Sequence, residues 1–102
     1  MSAKSKVCYT YGVRFEWDPA KAARNKRKHG VSFEEAVECF SDPLAIIVDD
    51  PQYPERFILI GASQHRRVIF TVYVERDAAL IRIISARRAT AHERKKYEEG
   101  NY

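Results

Sequence analysis

Hydrophobic spacing divides this chain into strand-like and helix-like stretches. Val13–Trp17 alternates and reads as a strand, and four later apolar segments read as strands too: Leu44–Val48, Arg56–Ile60, Arg67–Val74 and Leu80–Ala86. A strand points successive side chains to opposite faces. Val68, Phe70, Val72 and Val74 therefore share one face, and Ile81 and Ile83 should share a buried one. Helices are announced by their ends. Asp18 as N-cap and Pro19 at the first position start one that runs to His29 and stops at Gly30. Ser32 and Glu35 have capping-box spacing, and Phe33, Ala36, Val37 and Phe40 form the apolar stripe of a second helix. Glu34, Glu35 and Glu38 are expected to face out, and Asp42-Pro43 ends this helix. Thr90 and Glu93 form another capping box and start a third helix, to about Glu99. Short connections between consecutive strands predict an antiparallel meander. The expected class is α+β: an antiparallel four- to five-stranded sheet, two N-terminal helices on one side, and a C-terminal helix docked at the end. Residues 13–102 are expected to form one domain. Residues 1–12 are polar and basic and read as a flexible leader, with Val7–Tyr11 able to add an edge strand.

Composition narrows the class. A chain of 102 residues, 45% of them hydrophobic, builds one modest core and is not a disordered tail. A net charge of +4 suits a nucleic acid or an acidic protein as partner. No apolar run approaches bilayer length, and no signal peptide is visible. Cys8 and Cys39 have neither metal nor redox spacing, so both read as reduced thiols, Cys39 packed in a helix, in a cytoplasmic protein. His29, His65 and His92 are too scattered for a metal site, and no cofactor is expected.

Charge is concentrated in two places. Arg82, Arg87 and Arg88 gather at the end of the last strand, where guanidinium groups could meet phosphate bidentately or simply be solvated. Strict alternation puts Arg82 and Arg88 on one face and Arg87 on the other. The first helix carries Lys21, Arg24, Lys26, Arg27 and Lys28 without an acid. Lys21, Arg24 and Lys28 share a face, with Asn25 beside them. Like charges this close are unfavourable on a helix, which adds weight to a binding role.

Read together, these residues resemble a known family. Phe15-Glu-Trp-Asp18, Lys21, Asn25, Lys28-His29-Gly30 and Ser32-Phe33-Glu34-Glu35-Ala36 resemble the opening of BrnT-type toxins. Gly61, then Arg82-Ile-Ile-Ser-Ala-Arg-Arg88, Glu93 and Tyr97, resemble its close. The resemblance implies a RelE-like fold and a ribonuclease toxin of a bacterial type II toxin–antitoxin pair. It also implies a DNA-binding antitoxin, expected to be of ribbon-helix-helix type, that masks the toxin in a heteromeric complex and reaches operator DNA itself.

Metal-independent RNA cleavage needs a group to activate the ribose 2′-hydroxyl, cations for the charge on phosphorus oxygens, and an acid for the leaving oxygen. Arg82, Arg87 and Arg88 are the candidate catalytic cations, and Lys21, Arg24, Asn25 and Lys28 the candidate RNA contacts. His29 either transfers protons or caps the helix end. Trp17 either stacks on a base or packs in the core. Glu55 and Tyr97 are weaker acid–base candidates. The alternative function is a non-catalytic basic module that binds an antitoxin-like protein or nucleic acid through the same arginines.

Overall fold

The structure, a computed structural model, describes the backbone of residues 6–10 and the whole of residues 12–100. The rest of the expected leader (residues 1–5 and Tyr11) and residues 101–102 lie outside the described residues. The elements run β1 (Lys6–Thr10), β2 (Val13–Trp17), α1 (Pro19–His29), α2 (Phe33–Cys39), β3 (Ile46–Asp49), β4 (Arg56–Ala62), β5 (Val68–Asp77), β6 (Leu80–Arg88) and α3 (Ala91–Glu99).

The class is α+β, and the sheet differs from the expected one in two respects. It has six strands, in the order β1-β2-β6-β5-β4-β3, because Lys6–Thr10 pairs antiparallel with β2. It is also mixed. From β3 to β6 the strands form the expected antiparallel meander, but β2 pairs parallel with β6 through Arg14↔Leu80, Phe15↔Ile81 and Glu16↔Arg82. Such a pair joins the two ends of the chain, so no local turn signal announces it.

Local chemistry places the helices. Asp18 accepts the Ala20 N–H, and Gly30, at φ 71°, closes α1 through its N–H to Lys26 O. The Ser32 hydroxyl accepts the Glu35 N–H and starts α2. Thr90 and Glu93 complete a reciprocal capping box at α3. α1 and α2 cover one face of the sheet. Phe33, Ala36 and Val37 of α2 pack there against Phe15, Trp17, Leu59, Ile69, Tyr73 and Ile83. Ile81 joins from a partly buried position. Phe40 bridges Phe15 and Tyr73 edge-on, with ring centroids 4.9 and 5.0 Å away. Cys39 is buried and free, and burial pushes its thiol up to about 12, so it stays a neutral packing group.

The second face carries Val68, Phe70, Val72 and Val74 together, as alternation requires, but they are only half-buried. Ile58 and Ile60 also point there and are buried outside the main cluster, where α3 packs against β4. Asp42 ties α3 down by accepting the Tyr97 hydroxyl and the Ala62 N–H, the latter at 2.8 Å. Burial alone would raise the Asp42 carboxyl, but these bonds and the Leu44 N–H hold it below its ordinary value.

Gly61 marks a close approach. A Cβ there would lie 3.0 Å from both Ala45 Cβ and Cys39 O. Gly61→Ala should therefore overpack the junction of β4 with the end of α2, at about 1–3 kcal/mol. The expected result is a Tm lower by at least about 5 °C. An unchanged Tm would mean that the loop before β3 yields freely.

Candidate active site

α1 leaves the sheet where β2 ends and runs beside β6. Past Arg82, β6 has lost β2 as a neighbour. A bulge follows: Ile83 pairs with Tyr73 and Ser85 with Val72, so Ile84 has no partner on β5. Lys21, Arg24, Asn25, Lys28 and His29 of α1 line a cleft of about 340 Å³ with Ile84. Its lining holds two lysines, an arginine, an imidazole and no carboxylate. Lys21, Arg24 and Lys28 are exposed, and His29 is half-buried in the last turn.

Asn25 sits at the back of this cleft and is buried. Its Nδ2 donates to Ala86 O at 2.7 Å and to Val31 O at 3.0 Å, and its Oδ1 accepts the Ala86 N–H at 3.2 Å. The carboxamide is therefore engaged by backbone groups at the wall of the cleft. Of the two roles open to Trp17, the structure shows core packing. It is 2% exposed and meets Phe33 edge-on at 5.8 Å, so its ring is closed to a base.

The bulge also revises the arginines. By register Arg82 pairs with Val74 and Arg87 with Phe70, so these two share the second face, while Arg88 pairs with Ile69 and falls on the helical side. Strict alternation misassigned them because Ile84 inserts one residue. Arg82 Nη1 donates to Glu16 Oε2 at 2.8 Å. Arg87 donates to both oxygens of Glu93, at 2.8 and 2.9 Å, and its guanidinium lies 3.9 Å over the Phe70 ring. Burial would raise the Glu93 carboxyl, but Arg87 and the Thr90 N–H hold it below its ordinary value. Arg88 is exposed at the strand's end. The structure thus brings Lys21, Arg24, Asn25, Lys28 and His29 together and separates Arg82 and Arg87 from them.

Several structural residues had no clear sequence signal. Glu35 was expected to face out and is 6% exposed. It accepts two hydrogen bonds from Arg67, one of them from Nε at 2.9 Å, and one from the Ser63 hydroxyl at 2.7 Å. Arg67 Nη2 also donates to Gly30 O at 3.1 Å. The expected capping box at α2 is therefore half-made, because the Glu35 side chain turns inward. Glu34, Glu35, Glu38, His65 and Arg67 line a second cleft of about 560 Å³. Its acids make it the poorer host for a polyanion. Among the described residues, no group of three or more His, Cys, Asp or Glu side chains could hold a metal ion, and no helix is long and apolar enough to cross a membrane.

The family model described as the ribonuclease toxin BrnT of type II toxin–antitoxin systems matches residues 17–93. Among solved structures, the ribonuclease toxin BrnT of Brucella abortus matches with a TM-score of 0.59 at 25% identity, over 72% of this chain and 92% of that one. Among curated proteins none matches. The matched span runs from Trp17 to Glu93 and so includes the α1–β6 cleft and both halves of the Arg87–Glu93 pair, and the chain belongs to the BrnT family of ribonuclease toxins.

Proposed function

We propose that the protein cleaves RNA in the cleft between α1 and β6, without a metal ion. The reaction is attack of a ribose 2′-hydroxyl on the adjacent phosphorus, with the 5′-oxygen as leaving group. The observation that carries this reading is the lining of Lys21, Arg24, Lys28 and His29 with no acid among it. A phosphorane gathers negative charge on its oxygens, and fixed cations beside it act most strongly there. His29 moves the proton. Arg88 is the strand-end arginine available to phosphate, whereas Arg82 and Arg87 hold β6 through Glu16 and Glu93. As a type II toxin the protein has an antitoxin partner. In our reading that antitoxin is a ribbon-helix-helix protein of the cytoplasm. It binds in a heteromeric complex, covers the cationic cleft and alone contacts operator DNA.

The test uses purified protein and single-stranded RNA with excess chelator. The parent should cut. The Lys21→Ala, Lys28→Ala double variant should bind RNA more weakly, with a salt slope smaller by about 0.7 per lost phosphate contact. Full cleavage and an unchanged slope in that variant would remove the cleft from the mechanism. RNA that is bound and never cut by the parent would leave a basic binding module instead.

A further inference from the structure

Asn25 presents a donor and an acceptor to a single residue of β6, in the way a neighbouring strand would. Nδ2 donates to Ala86 O and Oδ1 accepts the Ala86 N–H. These are the two groups that β6 turns towards its β2 side, where β2 pairing has stopped at Glu16↔Arg82. An unpaired strand edge buried under a helix would leave both groups unsatisfied. The same Nδ2 also donates to Val31 O, just beyond the Gly30 cap, so one carboxamide ties together the start of α2, the body of α1 and the bulged end of β6.

We propose that Asn25 is the positioning residue of the RNA site: its carboxamide replaces the missing strand beside Ala86 and fixes the α1 cations and His29 at one height against the β6 bulge. The proposal rests on the cleft being the place of cleavage. Lys21, Arg24, Lys28 and His29 all sit within one helical turn of Asn25, so sliding or rotating α1 about this tie moves the whole lining at once. Ala86 lies between Ile84, which closes the cleft, and Arg88, which is exposed beyond it. The pairing of a donor with an acceptor on one side chain matters more than its shape. Aspartate can accept the Ala86 N–H but cannot donate to either carbonyl, and alanine can do neither.

The experiment compares Asn25→Ala, Asn25→Asp and the Lys21→Ala, Lys28→Ala control in metal-free, single-turnover cleavage of a short single-stranded RNA. Each is measured with and without trimethylamine N-oxide, which restores folded structure without restoring a lost hydrogen bond. Both Asn25 variants should lose about tenfold or more in the rate at saturating RNA, because misplacement of a reacting pair by a fraction of an ångström acts on the chemical step. Asn25→Ala should keep the parent's salt slope, since no phosphate contact is removed. The osmolyte should raise Tm and leave the rate low. The proposal is overturned if the rate returns together with Tm, if folded Asn25→Ala cuts within twofold of the parent, or if its salt slope falls by about one contact. A control variant that cuts like the parent would instead overturn the assignment of the cleft itself, whatever Asn25 does.

Discussion

Replacing His29 with alanine should slow metal-free RNA cleavage by about 10²–10⁴-fold, the range for removal of a positioned proton-transfer group. Folding should barely change. His29 is half-buried at the last position of α1 and has no side-chain hydrogen bond among the described residues, so its stabilising role is that of a basic group near a helix C-terminus. That is worth about 0.3–1 kcal/mol. Rate and stability therefore separate in one variant. His29 lies beside Lys28 in a lining without carboxylates, so the proposed reaction would draw its phosphate-binding cation and its proton-transfer group from the same turn. The measurement is the single-turnover rate beside a thermal melt. If His29→Ala cuts at the parent's rate, the imidazole only closes the helix and the proton-transfer group lies elsewhere.

The largest stability effect should come from Arg67→Met. The Glu35 carboxylate is 7% exposed at its side chain, and Arg67 is 30% exposed. Removing the guanidinium strands a charge whose remaining side-chain partner is Ser63. Breaking a buried pair in this way costs about 3–5 kcal/mol, and the partial exposure of Arg67 argues for the lower end. Tm should fall by roughly 10–20 °C. The pH dependence has a defined sign. The hydrogen bond from Arg67 holds the Glu35 carboxyl below its ordinary value of 4.5. The pair therefore stabilises fully above about pH 4.5, and that contribution is lost as pH falls through the folded value. In Arg67→Met the buried carboxylate takes up a proton more readily, so the gap between variant and parent should narrow towards low pH. A double variant, Glu35→Leu with Arg67→Met, should regain most of the loss, because an apolar pair leaves no stranded charge. A gap that stays constant from neutral pH to pH 4 would show that Glu35 finds other solvation.

What the sequence showed and what it hid follow from the range of the interactions. Helix ends are local: Asp18, Gly30, Ser32 and Thr90 satisfy backbone groups a few residues away, and all four stand where their spacing put them. Single-face patterns are local too, so Phe33, Ala36 and Val37 face the core as read. The cationic face of α1 also follows from spacing alone. Partners far along the chain were hidden. Nothing near Glu35 foretells Arg67, and nothing near Glu16 foretells Arg82, so a buried acid looked like a solvated one. One inserted residue at Ile84 was enough to move Arg87 onto the face of Arg82 and Arg88 off it. Trp17 and Asn25, both candidates for RNA contact, are held inside by Phe33 and by the edge of β6.

The parallel pairing of β2 with β6 also constrains when this molecule can act. Glu16 and Arg82 are 66 residues apart, and Asn25 and Ala86 are 61 apart. Strands β3 to β6 pair with their neighbours in sequence, but the join between the two ends closes a loop of most of the chain and comes late on entropic grounds. During synthesis α1 emerges early, with its cations and His29 but with no strand to set them against. The cleft comes into being only when β6 has left the ribosome and swung back beside β2. In the proposed reading the site is therefore complete only once β6, among the last elements made, has joined β2.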